Sequence, residues 1–300
     1  MLINKIKSLF AEQLSSWELA GRNFAELKNV KIRNFDFGDF FVQVQFNPAR
    51  IRSTAAKIDK KSITERACFL CKKNRPPEQK SVLWGDYEIL VNPYPIFAEH
   101  FTVVSKNHIP QQIKMFFADM LRLAGEISNY AVFYNGAGCG ASAPEHLHFQ
   151  VVLKNCLPII SDYKRLKATH TEVLQQTADF QIFRFSNYLR QTYCLETSPL
   201  TPFLEAKGTV QQIFTDFLEK INFTDETMMN VVCHYEDEKY YVFVFPRKAF
   251  RPRQYFAENE EENLLVSPAA VELSGVIITP RENDFYKITK EDIVSIYEQV

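Results

Sequence analysis

Two histidines and a glutamine alternate along one short stretch of this 300-residue chain, directly after a glycine-rich loop. The stretch is residues 134–152, YNGAGCGASAPEHLHFQVV. Alternate side chains of a strand face the same way, so His146, His148 and Gln150 should share one face while the intervening apolar residues enter the core. A neutral imidazole can act as a nucleophile and hold a transferred group covalently. The alternative is a pair of partly exposed strand histidines without a chemical role.

Several residues on this loop and on two basic runs could contact phosphate oxygens. Glycines let a backbone approach a ligand closely, and successive loop amides can form an anion-binding concavity. Arginine offers a planar fork that matches phosphate oxygens. The candidates are Gly136, Gly138, Gly140, Ser142, Arg50, Arg52, Arg247 and Lys248, and the neighbouring Arg251 and Arg253 could also reach the phosphates. The first basic run, residues 49–61, could instead be a solvated loop.

A Cys-x-x-Cys pair, Cys68 and Cys71, places two thiolates close enough to share one metal ion. Zinc requires two further ligands, and the candidates are His108, which follows a predicted strand, and His146. His100 is a weaker candidate. The chain carries no recognisable secretion signal, which favours metal binding over a disulfide for this pair. The alternative is two buried free cysteines.

The elements that must position these groups follow from the spacing of apolar residues. Helical spacing predicts helices within residues 3–28 and 112–130, and alternation predicts hairpins over residues 30–46 and 228–245. Short connectors between strands favour an α+β fold with a largely antiparallel sheet and packed helices. The histidine strand should be central in this sheet, because its apolar residues need burial.

Two segments resemble each other and predict an internal duplication with a degenerate second half. FTVVSKNHIPQ and YVFVFPRKAFRP are both a strand that ends in a basic turn. We therefore predict a helical segment over residues 1–29, a catalytic half with the zinc site over 30–160 and a second half over 161–300. The two halves could form one compact domain.

Composition excludes two classes of partner. The formal net charge is −1, so no strong electrostatic field draws the protein to nucleic acid or to an anionic membrane. No apolar run approaches the length of a membrane span. The first residues, MLINKIKSLFAEQL, are typical of an amphipathic helix rather than a signal peptide. We expect a cytoplasmic protein.

The combination of CFLC, a downstream histidine, an Asn-Gly loop and H-x-H-x-Q resembles the galactose-1-phosphate uridylyltransferases of the histidine-triad superfamily. This resemblance implies a structural zinc on Cys68, Cys71, His108 and His146. It also implies that His148 is the nucleophile and that Gln150 contacts the transferred phosphoryl group. The loop that begins at Asn135 belongs to the same resemblance, and the segment NPAR, which ends at Arg50, is similar to a phosphate-side segment of that family. A homodimer is implied as well, because these enzymes borrow residues from a second subunit.

A second resemblance, carried by HLHFQ and by SPAAVELSGVIITPRENDF near the C-terminus, is to the GDP-L-galactose and GDP-D-glucose phosphorylases of the same superfamily. Together the resemblances cover roughly residues 45–155 and 240–300, and they imply a histidine-triad-like fold. The chain differs from the uridylyltransferases at Leu147, where they usually carry proline, and it matches them rather than the phosphorylases at the cysteine pair.

These residues predict a nucleotidyltransferase or nucleoside-diphosphate-sugar phosphorylase that acts through nucleotidyl-His148. Its substrates would be a nucleotide sugar or another nucleotide, together with phosphate or a sugar phosphate. Gln150 favours transfer over hydrolysis, because an amide can hold an oxygen but cannot deliver a proton. The alternatives are a histidine-triad hydrolase of nucleotide sugars or dinucleoside polyphosphates, and a zinc-stabilised nucleotide-binding protein without turnover.

Overall fold

The computed structural model describes residues 1–51, 63, 65–197 and 207–300. Its strands are β1 (Lys31–Asp36), β2 (Phe41–Phe46), β3 (Ser81–Trp84), β4 (Tyr87–Val91), β5 (His100–Ser105), β6 (Tyr130–Asn135), β7 (His148–Leu153), β8 (Thr171–Gln176), β9 (Phe180–Phe185), β10 (Tyr193–Thr197), β11 (Met229–Glu236), β12 (Lys239–Pro246) and β13 (Val276–Thr279). Its α-helices are α1 (Leu2–Ser16), α2 (Glu18–Ala25), α3 (Phe117–Glu126), α4 (Pro158–His170), α5 (Lys207–Lys220), α6 (Arg253–Phe256), α7 (Ala270–Leu273), α8 (Glu282–Lys287) and α9 (Lys290–Gln299).

Ten strands form one sheet in the order β3-β4-β5-β7-β6-β11-β12-β10-β9-β8, and its described pairings are antiparallel. A smaller sheet has the order β1-β2-β13, in which β13 runs parallel to β2. The histidine strand β7 lies between β5 and β6, inside the large sheet. The predicted α+β class and the central position of this strand are confirmed.

The connectivity of the large sheet repeats once. Three strands, a helix and two strands give the order β3-β4-β5-β7-β6 around α3, and the same succession gives β8-β9-β10-β12-β11 around α5. The two repeats meet where β6 pairs with β11, and the rings of Phe117 and Phe214 stack 4.0 Å apart between the two helices. The topology shows a duplication, but the two segments that predicted it are not equivalent. FTVVSKNHIPQ contains β5, whose counterpart is β10, whereas YVFVFPRKAFRP contains β12, whose counterpart is β7. The domain boundaries remain a prediction, since the sheet is continuous across both halves.

The large sheet is covered on both faces, as a layered domain requires. One core lies under α1, α2, α3 and α5 and includes Phe149 and Val151 of the histidine strand. The other core lies under α4, the small sheet and the C-terminal helices. Because side chains alternate along β7, His148 and Gln150 face the second layer. Among the described helices, none has the length and apolarity needed to cross a membrane.

In the second half, aromatic rings fill the corresponding layer. Tyr163 of α4 packs edge-on against Phe243 and Tyr241 of β12, the strand that corresponds by topology to the histidine strand. Phe183 and Phe185 of β9 complete the cluster. The degenerate half therefore offers packed rings where the first half offers His148 and Gln150.

His234 lies in this aromatic layer and makes the fold sensitive to acid. Its ring is 1% exposed and stacks on Tyr241 at 4.8 Å, and within the described chain neither ring nitrogen has a hydrogen-bond partner. Burial lowers the pKa of His234 to about 3, below the value of about 6.5 expected in the unfolded chain. The unfolded state therefore binds more protons below pH 6.5, and stability falls as the pH drops toward 3.

His234→Phe should remove this acid sensitivity, because phenylalanine keeps the stacked ring and carries no unpartnered polar atom. We expect the free energy of unfolding to rise by about 1 kcal/mol at pH 7. Between pH 7 and pH 5 the parent should lose about 2 kcal/mol of its free energy of unfolding through His234, and the variant should not. Urea unfolding at both pH values measures this. An unchanged pH dependence in the variant would contradict the assignment.

Candidate active site

His148 opens β7 and is fixed at its backbone by a side chain that sequence reasoning missed. Gln111 accepts a hydrogen bond from the His148 backbone N–H at 2.8 Å and donates to the His148 carbonyl at 3.0 Å. It also donates to the Asn135 carbonyl at 3.0 Å, which joins β7 to the end of β6. Gln111 carries no local motif, because its role depends on strands that lie far from it in sequence.

The ring of His148 is held in one tautomer. Nδ1 lies 2.8 Å from the backbone carbonyl oxygen of His146, so this nitrogen carries the proton and donates it. Burial lowers the pKa of His148 to about 4, and the ring is therefore neutral near pH 7. Nε2 keeps its lone pair, and His148 lines a cavity of about 430 Å³.

The amide of Gln150 is oriented by His100. Nδ1 of His100 accepts a hydrogen bond from the Ile96 backbone N–H at 3.2 Å, and burial lowers the pKa of His100 to about 3. The proton of this neutral ring therefore lies on Nε2, which donates to Gln150 Oε1 at 2.8 Å. The oxygen of Gln150 is thereby occupied, and its NH2 group remains for the cavity that the residue lines. His100 thus contacts Gln150 and is not part of the metal cluster described below.

The cavity is built from three parts of the chain. Its apolar lining includes Trp17 and Leu19, at the junction of α1 and α2, and Tyr94 of the β4–β5 connector. Phe69, between the paired cysteines, is 45% exposed and lines the cavity as well. The second half contributes the remaining wall, which includes Phe250, Arg251, Ser267, Ala269 and Glu272. The N-terminal helices and the second half therefore shape the same cavity as the histidine strand.

The residues of the predicted glycine loop have two different roles. The N–H groups of Gly136 and Gly138 donate to the carbonyls of Met229 and Thr227 at 2.9 Å each, and a Cβ at either glycine would collide with this segment. These two glycines therefore permit close packing against the second half rather than contact with a ligand. Asn135, Gly140 and Ser142 do line the cavity.

The predicted basic residues also separate. Arg50 lines the cavity, donates to the Tyr94 carbonyl at 2.7 Å and has its pKa lowered by burial to about 10. Arg52 lies outside the described residues. Arg247 is buried and donates to backbone carbonyls of residues 249, 250 and 268, and it is not among the cavity residues. Lys248 is exposed and donates to the Glu298 carbonyl, and it is not among the cavity residues.

Two further arginines line the cavity: Arg66, which was not predicted, and Arg251, which the sequence predicted as one of several basic residues able to reach the phosphates. Arg66 donates to the Ser142 carbonyl at 2.6 Å and lies 5.4 Å from the centre of the Phe69 ring. Arg251 donates to the Ser267 hydroxyl at 3.0 Å and stacks on Tyr255. Sequence spacing does not distinguish these two from Arg247 and Lys248, because tertiary contacts decide which guanidinium groups turn inward.

The four predicted metal ligands come together. The ligand atoms of Cys68, Cys71, His108 and His146 lie within 4.8 Å of one another. His146 Nδ1 is 3.4 Å from Cys68 Sγ and 3.6 Å from Cys71 Sγ, and His108 Nδ1 is 3.2 Å from Cys71 Sγ. A tetrahedral zinc ion separates such ligand atoms by roughly 3.5 Å. The donor set and its spacing therefore fit a closed zinc site.

His146 does not share a face with His148 and Gln150, which corrects the prediction. It precedes β7 in a turn, and its ring faces the cysteines rather than lying in the strand. Nε2 of His146 lies 2.8 Å from the Ser105 carbonyl oxygen, to which it can donate, and this leaves Nδ1 for a metal. The carbonyl of the same residue holds Nδ1 of His148, so the metal cluster and the nucleophile candidate are one hydrogen bond apart.

Two family models match the chain. Residues 9–153 match a domain of unknown function, DUF4922. Residues 165–300 match the model described as GDPGP1-like, C-terminal domain. No curated protein sequence is significantly similar to the chain.

Among solved structures, the chain is similar to yeast Ap4A phosphorylase Apa2. For the complex with Ap4A the TM-score is 0.58 at 16% identity, and the match covers 98% of this chain and 96% of that one. For Apa2 without that ligand the TM-score is 0.58 at 14% identity, with 93% and 96% covered. For the AMP complex the TM-score is 0.54 at 12% identity, with 94% and 95% covered. The likeness shows a shared fold across nearly the whole chain.

Proposed function

We propose that this chain is a nucleotidyltransferase of the phosphorylase type that acts through a nucleotidyl-His148 intermediate. The observation that supports this best is the state of His148. Its proton is held on Nδ1 by a backbone carbonyl, its ring is neutral and it lines the cavity together with Gln150. The match to a GDPGP1-like C-terminal domain and the fold shared with an Ap4A phosphorylase support the same reaction class.

The first step forms a bond from His148 Nε2 to the α-phosphorus of the donor. The bond from that phosphorus to the leaving-group oxygen breaks, and the leaving group keeps the electron pair. During this displacement, negative charge lies on the non-bridging oxygens of the transferred group. The NH2 group of Gln150 and the guanidinium groups of Arg50, Arg66 and Arg251 are the donors that line the cavity for these oxygens.

The second step reverses the first with a different oxygen. An oxygen of inorganic phosphate or of a sugar phosphate attacks the same phosphorus, and the bond to Nε2 breaks, so that His148 returns to its neutral form. The amide of Gln150 can donate a hydrogen bond but does not act as an acid or a base near neutral pH, so it cannot activate a water molecule. This property favours an acceptor that is already an anion over transfer to water.

The apolar residues of the lining suit a nucleoside. The second half of the same chain contributes Arg251 and Ser267 to the lining. The predicted homodimer stays a prediction. Zinc on Cys68, Cys71, His108 and His146 would be structural, because four protein ligands leave no open position. When bound, it would tie the Phe69 loop to the residue that precedes the histidine strand.

A donor screen tests this function. The purified chain is incubated with nucleotide sugars and with dinucleoside polyphosphates, each with and without inorganic phosphate, and products are separated by ion-exchange chromatography. We expect release of a nucleoside diphosphate that depends on phosphate. Release of a nucleoside monophosphate at the same rate without phosphate would favour the hydrolase. Binding without any product would favour the non-catalytic alternative.

A further inference from the structure

The buried guanidinium of Arg247 begins a directed chain of hydrogen bonds that ends at the cavity. Arg247 is 4% exposed, and its Nη1 donates to Asn230 Oδ1 at 2.6 Å. A guanidinium group can donate hydrogen bonds but cannot accept them. The oxygen of the Asn230 amide must therefore face Arg247, and its NH2 group must face the other way.

Asn230 passes this orientation to Asn135. Asn230 is 0% exposed, and its Nδ2 donates to Asn135 Oδ1 at 2.9 Å and to the Cys139 carbonyl at 2.8 Å. Asn135 Oδ1 also accepts from the backbone N–H of Ala270 at 2.9 Å. The Asn230 NH2 group and the Ala270 N–H group are both donors, so the oxygen of Asn135 must face them and not the ligand. Its NH2 group remains for the cavity, which Asn135 lines with His148 and Gln150.

We propose that Asn230, held by Arg247, is a positioning residue that directs the Asn135 amide NH2 toward the transferred phosphoryl group. The proposal rests on the proposed function, because it names what that amide faces. If the amide were reversed, its oxygen would face the anionic phosphoryl oxygens, and a favourable contact would become a repulsive one. The second half of the chain would then set the polarity of a group in the catalytic half. Arg247 would act through Asn230 rather than by touching phosphate.

Asn230→Asp tests the proposal with the smallest change in shape. The new carboxylate keeps its contact with Arg247 but cannot donate to Asn135. The carboxylate repels the Asn135 oxygen and favours reversal of that amide, which turns its oxygen toward the cavity at the cost of the bond from the Ala270 N–H. We expect the single-turnover rate of His148 labelling by a radioactive nucleotide donor to fall about a hundredfold, with a smaller change in the donor concentration at half-saturation.

Asn263→Asp is the matched control. Asn263 also accepts from an arginine, Arg281 Nη2 at 2.6 Å, and donates to backbone carbonyls of residues 255 and 257, but it is not among the cavity residues. Its variant should label at the parent rate. A melting curve for each variant shows whether a slower rate reflects loss of folded protein.

Asn135→Asp provides a second variant, because it keeps an oxygen for Asn230 and Ala270 and replaces the NH2 group by a negatively charged oxygen. Its labelling rate should fall about as far as that of Asn230→Asp. In an Asn135→Ala background, Asn230→Asp should cause no further loss. Losses that multiply in this double variant, or a normal rate in Asn135→Asp, would overturn the proposal.

Binding of AMP and GMP, measured by calorimetry on the same variants, separates the two hypotheses. If no donor labels the parent protein, the proposed function fails. The orientation proposal then stands only if the Asn135 and Asn230 changes weaken monophosphate binding and do so non-additively. Additive effects on binding would overturn it independently of any activity.

Discussion

Replacing His148 by alanine should lower the rate of nucleotidyl transfer by about six orders of magnitude, by analogy with deletion of a catalytic nucleophile in another enzyme class. The variant has no atom that can form the bond to phosphorus, so the covalent route is lost. The fold should persist, because the ring faces the cavity and the flanking apolar side chains of β7 remain in the core. The measurement is exchange of label between a donor and its phosphate-derived product. The parent protein should also carry label that is labile in acid and stable in base.

His170→Ala is the control for this experiment. His170 is half-buried at the end of α4, contacts Thr169 and Asp39, and does not line the cavity. Its loss should leave exchange unchanged. Full exchange in His148→Ala, or label that maps to Cys139, would contradict the mechanism. Cys139 is a poor competitor, because burial raises the pKa of its thiol to about 11 and its Sγ lies against backbone carbonyls.

The parts of the site that could be predicted from sequence are those carried by local spacing. The alternation of His148, Phe149 and Gln150 is a property of a strand, and the structure has that strand at His148–Leu153. The Cys-x-x-Cys spacing likewise places two sulfur atoms together. The duplication is present, but the pair of segments that suggested it was wrong, because the strand in FTVVSKNHIPQ, β5, is equivalent to β10 and not to β12.

Other parts depend on contacts between distant segments, which spacing does not encode. The alternation in the sequence assigns His146 to the same strand face as His148. The chain turns at His146 instead, and its ring contacts the cysteines. The predicted helix over residues 112–130 is α-helical only over Phe117–Glu126. Gln111 lies directly before the predicted helix, and its side chain instead forms hydrogen bonds to β6 and β7. Arg247 is of the residue type that binds phosphate, but its hydrogen-bond acceptors are three backbone carbonyls and the amide oxygen of Asn230.

The hydrogen bonds around His148 and Gln150 show why the sequence motif alone underdetermines the site. Which nitrogen of His148 carries the proton is decided by the carbonyl of His146, and which atom of Gln150 faces the cavity is decided by His100. His100 lies on β5, which is brought beside β7 only by the sheet. A motif fixes residue types, whereas the fold fixes tautomers and amide orientations.

Removing the metal should destabilise the protein strongly, and this is the second large effect that the structure predicts. We expect one zinc ion per chain in protein purified without chelators. The Cys68 loop is otherwise tied by single contacts, such as the Asn74 side chain to the Cys68 carbonyl at 2.8 Å and Arg75 to the Leu70 carbonyl at 3.0 Å. Structural zinc contributes on the order of 10 kcal/mol of apparent binding free energy in small domains. A loss of even a third of this would exceed the effect of most single substitutions.

Cys71→Ser should lower the melting temperature and reduce the zinc content, because near pH 7 a serine hydroxyl group does not replace a thiolate ligand. A strong chelator should lower the melting temperature of the parent protein but not that of the variant. Cys156→Ser is the matched control, since Cys156 is a partly buried free cysteine outside the cluster, and its thiol lies 3.7 Å from Asn155 Oδ1. The change should also slow labelling of His148, because His146 is a ligand on one side and holds the His148 ring through its carbonyl on the other. Freshly purified protein without metal, or a parent melting curve that a chelator does not move, would show that the four side chains cluster without binding zinc.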